Sequence, residues 1–218
     1  HHAGLEEGAG RIISMENLPS RAIRNLTVVI GMVTVVGFIA IALFFSVGGF
    51  WGPLNDLSIA LEALLSAALA WMLHPMFRSQ SPKLSQAMLA VAIVGGLVTS
   101  VGSAFVIFKV TGYFLAGLFM GLGFALLGVW LYSFNRHARH SDVFLRGLTL
   151  LGQIAGGVLA LGFASIPGIL NRIDSPTDAS WMENIGQFNA LGWLILLPVW
   201  GVWLGCVVLK STKANERK

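Results

Sequence analysis

Leu26-Thr-Val-Val-Ile-Gly-Met-Val-Thr-Val-Val-Gly-Phe-Ile-Ala-Ile-Ala-Leu-Phe-Phe-Ser-Val-Gly-Gly49 decides the fold. The stretch holds no charged side chain and no proline. A helix needs about 20 such residues to cross a hydrocarbon core roughly 30 Å thick. A secretory signal would have a shorter apolar centre and a small-residue cleavage site, so residues 26–49 are expected to be a transmembrane helix. Five more runs of this kind follow, at 56–77, 84–108, 112–134, 144–170 and 187–209. A membrane β-barrel would show alternating segments of about ten residues instead. The expected fold is therefore an all-α bundle of six transmembrane helices, because an open chain in lipid must satisfy its backbone within each helix.

The composition agrees. Of 218 residues, 56% are hydrophobic and only 11% charged, with a mean hydropathy of +0.77. A soluble domain carries about 25% charged residues. Too few polar groups are present to cover a water-soluble globule, which excludes a typical cytosolic enzyme, a disordered tail and a nucleic-acid-binding domain. The single cysteine, Cys206, excludes a disulfide framework and a multi-cysteine metal cluster.

The organisation expected along the chain is simple. Residues 1–14 read as an affinity-tag and linker remnant, with Met15 as the native start. Residues 15–210 form the transmembrane domain, and 211–218 a basic cytoplasmic tail. Lys and Arg set the orientation. With the N-terminus inside, twelve of the 14 Lys and Arg fall on the cytoplasmic side, and Lys109 and Arg172 alone fall outside. Leaving out Arg11 of the tag, eleven oppose two. Both termini are expected in the cytoplasm and the protein in the plasma (inner) membrane. The layout resembles that of small six-helix bacterial inner-membrane proteins, a likeness of topology with no residue motif behind it. The basic residues serve topology and lipid headgroups, so membrane lipids are the expected partners and nucleic acid is not.

The chain also reads as three hairpins pointing outward. Val36-Gly37-Phe38, Val101-Gly102-Ser103 and Leu161-Gly162-Phe163 recur in the outgoing helices. Ala70-Trp71-Met72-Leu73, Val129-Trp130-Leu131 and Val202-Trp203-Leu204 recur in the returning ones. Chance matches of common membrane residues are the competing explanation. Small residues at four-residue spacing, as in Gly117-x-x-x-Gly121-x-x-x-Ala125, Gly152-x-x-x-Gly156 and Gly96-x-x-x-Ser100-x-x-x-Ala104, favour close helix packing. That packing serves the bundle itself or, as the sharper alternative, a homo-oligomer or a partner membrane subunit.

Polar residues inside the runs are few, and each is a candidate. At 100° per residue, Asn55, Ser58, Glu62 and Ser66 fall within about 80° on helix 2. A carboxylate in lipid is costly, so this stripe should face protein or water. Its functional reading is a proton, cation or substrate site that also takes in Asp56. The alternative is a neutral, buried Glu62 hydrogen-bonded to a serine, Gln153 or Asn189. Lys109 is a candidate ion-pair partner. Pro198 should kink helix 6 and is a candidate hinge. Ser175-Pro176-Thr177-Asp178 reads as a helix start, leading to a short interfacial helix with Trp181 and Ile185 on its apolar side. Ser141 and Asp142 read as caps of helix 5.

No metal site or cofactor is expected. His74, His137 and His140 lie at the cytoplasmic side, and three arginines crowd the last two. No nucleophile elbow, Walker loop or paired intramembrane carboxylates occur. The leading functional expectation is a small-solute or ion transporter or channel-like protein, with an outward-facing polar site near helix 2. Its rivals are a lipid-binding or accessory subunit and, behind that, a membrane enzyme acting on a lipid-like substrate.

Overall fold

The computed structural model describes residues 20–78, 81–139 and 144–215. Every regular element among them is helical, and six helical stretches are long and apolar enough to cross a membrane. Four are unbroken: α1 (Ser20–Val47), α2 (Trp51–Arg78), α3 (Pro82–Ile107) and α4 (Tyr113–Ala138). The other two are composite. The fifth joins α5 (Arg146–Ala160), a 3-10 stretch at Leu161–Ser165 and the short α6 (Ile166–Leu170). The sixth joins α7 (Ser180–Leu191), a π-helical stretch at Gly192–Leu196 and α8 (Leu197–Asn215).

The helices extend past the apolar runs that announce them. α1 starts at Ser20 and takes in Arg21 and Arg24, and α2 starts at Trp51, ahead of the apolar run from 56. Backbone hydrogen bonding does not stop where hydrophobicity does, and interfacial residues join the same helix. The segment expected as a separate interfacial helix is instead the first half of the sixth crossing. Pro176–Asp178 is only a 3-10 turn, the Ser175 hydroxyl bonds Thr177 Oγ1 at 2.6 Å, and α7 begins at Ser180. The expected caps Ser141 and Asp142, along with His140 and residues 1–14, lie outside the described residues.

The helices follow one another around the bundle. α2 packs on α1 and α3, α4 on α3 and α5, and α8 closes the ring on α5 and α1. Glycine sets these spacings. A Cβ on Gly96 would meet the Ala63 carbonyl at 3.1 Å on α2, and one on the neighbouring Gly95 would meet the Gly123 carbonyl at 2.7 Å on α4. α3 is therefore wedged between two backbones. A Cβ on Gly128 would lie 2.6 Å from Leu159 Cβ and 2.7 Å from the Gly156 carbonyl, which fixes α4 against α5. Lipid offers no hydrophobic drive to associate, so such close packing contributes much of the cohesion.

Three connections, at 48–50, 108–112 and 171–179, gather at one end of the bundle, here termed the loop end. Gly48 and Gly49 take φ of 75° and 70°. Lys109 and Arg172 adopt the left-handed region without being glycine, at φ of 55° and 52°. Each ends its helix in a Schellman turn: Val110 N–H donates to the Phe105 carbonyl at 2.8 Å, and Ile173 N–H to the Gly168 carbonyl at 2.9 Å.

Toward the opposite end the centre is filled by aromatic rings. Trp200 meets Trp130 and Phe134 edge-on, at centroid distances of 6.2 and 6.0 Å. Of the three tryptophans in the returning-helix motif, Trp130 is buried, while Trp71 and Trp203 lie on the outside.

Candidate functional site

α2 carries the polar stripe, and all of its members are buried. Asn55, Asp56, Ser58, Glu62 and Ser66 are each at most 9% exposed, and Glu62 is 1% exposed. The stripe turns toward α1. A Cβ on Gly37 of α1 would stand 3.0 Å from Ser58 Cβ and 3.8 Å from Asn55 Oδ1, so only a bare backbone lets α1 approach. One turn deeper, the Thr34 hydroxyl of α1 is the polar neighbour of the Glu62 carboxyl. Because α2 starts at Trp51, Glu62 lies roughly 16 Å along it at 1.5 Å per residue, close to the midpoint of the span.

The hydrogen bonds of the stripe are mostly turned inward on its own helix. Ser58 Oγ donates to the Leu54 carbonyl at 2.9 Å, and Ser66 Oγ to the Glu62 carbonyl at 2.8 Å. Thr34 Oγ1 donates to the Ile30 carbonyl at 3.0 Å. Each hydroxyl has thus used its proton, and Thr34, the one beside the Glu62 carboxyl, offers it only lone pairs. Glu62 Oε1 is buried with no hydrogen-bond partner among the described residues, and Ser103 Oγ on α3 shares that condition. Gly96 of α3 faces α2, and Ser103 lies two turns further along the same face, level with Asp56. Asp56 itself is approached by Asn55 Nδ2 at 3.5 Å. A buried carboxyl left with an orphan oxygen is costly, and such groups mark functional positions in membranes.

The structure separates the remaining candidates from this cluster. Lys109 is exposed in the loop after α3, and Glu62 forms no ion pair among the described residues. Gln153 is half-buried and reaches the Asn135 carbonyl at 3.4 Å. Asn189 on α7 donates from Nδ2 to the Leu159 carbonyl at 2.7 Å, where α5 gives way to the 3-10 stretch. Pro198 is buried two residues beyond the π-helical stretch. Lacking an N–H, it leaves the Leu194 carbonyl without its helical donor, and the widened π turn takes up the disturbance.

Two further features went unread in the sequence. Asn135 sits among the central rings, where Nδ2 donates to the Leu131 carbonyl at 2.8 Å and Oδ1 accepts the Trp200 indole N–H at 3.0 Å. A run of glycines at four-residue spacing signals packing, but nothing in it announces the second feature, a groove of about 410 Å³ between α4 and α7. Gly117 and Gly121 line its α4 side, Glu183 and Tyr113 stand at its rim near the loop end, and Trp193 lies deep within it. There Trp193 stacks on Phe124, with centroids 5.4 Å apart and planes 11° from parallel. Asp174 closes the loop end by accepting N–H groups from Gly112 at 2.7 Å and Leu115 at 3.0 Å, which caps α4.

The fold and this buried polar stripe define a class, a multi-pass α-helical membrane protein with a lone acid at mid-span. In comparisons with known proteins, the chain matches no family model, no curated protein and no solved structure.

Proposed function

We propose that the protein is a small-solute or ion transporter in which Glu62 binds and releases a cation, a proton being the simplest. The observation that carries this reading is the Glu62 carboxyl itself, held at mid-span, 1% exposed, with Oε1 lacking a hydrogen-bond partner among the described residues. Its surroundings supply the lone pairs of the Thr34 hydroxyl and, among the described residues, no ion-pair partner. A carboxylic acid could donate to those lone pairs, and a small cation could be coordinated by them. An ionised carboxylate alone would be costly, so loss of the proton or ion must accompany rearrangement or solvation.

The cytoplasmic placement of both termini and the inner-membrane location belong to the same proposal. They are supported by the Lys and Arg bias, and a reporter fused after Lys218 reads the orientation directly. The threefold hairpin repeat is supported by Gly37, Gly102 and Gly162. Gly37 and Gly102 let their helices approach the returning partner, at Ser58 and at Ala116 and Met120, whereas Gly162 meets the Gly121 carbonyl of α4 most closely and Asn189 of its own returning helix next.

The test is ion flux in proteoliposomes loaded with a pH-reporting dye under an imposed membrane potential. The full chain should carry protons above the empty-vesicle rate, and Glu62→Gln should lower this at least tenfold. Flux that Glu62→Gln leaves unchanged, or wild-type flux no greater than that of empty vesicles, defeats the reading.

A further inference from the structure

We infer that the groove between α4 and α7 is a binding site for a small, non-anionic amphipathic molecule carrying an N–H or O–H donor, independent of Glu62. Its polar floor is the first observation. Ser165 is 9% exposed and its hydroxyl makes no hydrogen bond among the described residues. Asn189 is 3% exposed; its Nδ2 is committed to the Leu159 carbonyl, which leaves Oδ1 free to accept. Both atoms converge on one spot. A Cβ built on Gly121 would stand 3.1 Å from Ser165 Oγ and 3.7 Å from Asn189 Oδ1. The missing side chain at Gly121 leaves this space open, and two buried polar groups aim at it without satisfying each other.

The backbone around the floor is the second observation. The 3-10 stretch Leu161–Ser165 and the π-helical stretch Gly192–Leu196 lie on the two crossings that meet there, and Gly192 packs on Leu159. Irregular helix inside a membrane is tolerated where it is buried in protein or lines a cavity, and π segments recur at functional sites.

The chemistry of the walls selects the ligand. Asn189 Oδ1 can only accept, so the ligand must bring a donor, and Ser165 Oγ can accept from or donate to a second polar atom. No Lys, Arg or His lines the groove, and the charged residue at its rim is the acid Glu183. An anion therefore finds no counter-charge. Trp193, Leu161 and Met182 give an apolar wall for the rest of the molecule. About 410 Å³ suits a compact organic solute rather than a two-chained lipid.

Equilibrium dialysis of the full chain in detergent tests this with three matched radiolabelled probes: phenethylammonium, phenethyl alcohol and 3-phenylpropanoate. Saturable binding is expected for the first two and not for the carboxylate. Gly117 lines the groove, and a Cβ there meets nothing within 4 Å, so Gly117→Leu fills the site without displacing a helix. It should weaken binding at least tenfold. Ser165→Ala should weaken it about fivefold, the worth of one hydrogen bond. Glu62→Gln should leave it unchanged. Absence of saturable binding, equal binding by the carboxylate, or full binding by Gly117→Leu overturns the assignment. Loss in Glu62→Gln with retention in Gly117→Leu would move the site to α2 and overturn it equally.

Discussion

Asp174 reaches across 59 to 62 positions of sequence to hold the start of α4. The last connection is thereby pinned beside the rim of the α4–α7 groove. A helix begins with backbone N–H groups that lack intrahelical partners, and α4 has Gly112 as its N-cap, with no side chain of its own to accept them. The Asp174 carboxylate accepts the N–H of Gly112 and that of Leu115, the third residue of the helix. Removing an N-cap side chain costs about 1 kcal/mol. The carboxylate at the positive end of the helix dipole adds about 0.5 kcal/mol where solvent reaches it. Asp174 is exposed, so water replaces part of what is lost, and Asp174→Ala should destabilise the bundle by about 1 kcal/mol, less than the sum of the two. Asp174→Asn keeps an acceptor and loses the charge, so it should cost about 0.5 kcal/mol, and only this smaller part should fade in high salt. A Cβ on Gly112 would overlap the carboxylate, so Gly112→Ala should cost about as much as Asp174→Ala, and the double variant should be far from additive. Equilibrium unfolding in bicelles gives the energies, and amide exchange at Leu115 reports the cap locally. Asp174→Ala within 0.3 kcal/mol of wild type, or additive behaviour with Gly112→Ala, would refute the capping argument.

Two other substitutions probe the interior. Trp200→Phe keeps the edge-on ring contacts with Trp130 and Phe134 but removes the N–H that satisfies Asn135 Oδ1, so unfolding in bicelles should show a loss of about 1–2 kcal/mol. A stability equal to wild type would mean that water or another donor serves Asn135. Gly128→Ala forces a methyl group against Leu159 and the Gly156 carbonyl and should cost about 2 kcal/mol or more, whereas Gly117→Ala meets open space and should leave thermal stability in detergent within about 0.5 kcal/mol of wild type. Equal effects at the two glycines would show that the α4–α5 contact is not the close one described.

The number of crossings was legible without any structure, because hydrophobic length alone decides what can span a bilayer. So was the Glu62 stripe, since helical periodicity places Asn55, Ser58, Glu62 and Ser66 together before any neighbour is known. The same reasoning could not say that Gly37 and Thr34 of α1 are what the stripe meets, because periodicity gives a face and not its partner. Gln153 and Asn189 were grouped with Glu62 on polarity alone. Packing order sends them elsewhere, one to the Asn135 carbonyl and the other to the break in α5.

The amino-acid order by itself determined that this chain is a bundle of apolar helices with an acid inside the second of them. Those properties depend on each residue's own hydrophobicity and on the fixed pitch of a helix. Only tertiary structure decided that a glycine packs two backbones, as at Gly128, or leaves a space, as at Gly117. A glycine contributes no side chain of its own, so what stands opposite it determines whether the result is a contact or a cavity. The Asp174 cap and the convergence of Ser165 with Asn189 have the same origin, since each joins groups far apart along the chain that only the packed helices bring within hydrogen-bonding reach of a common point.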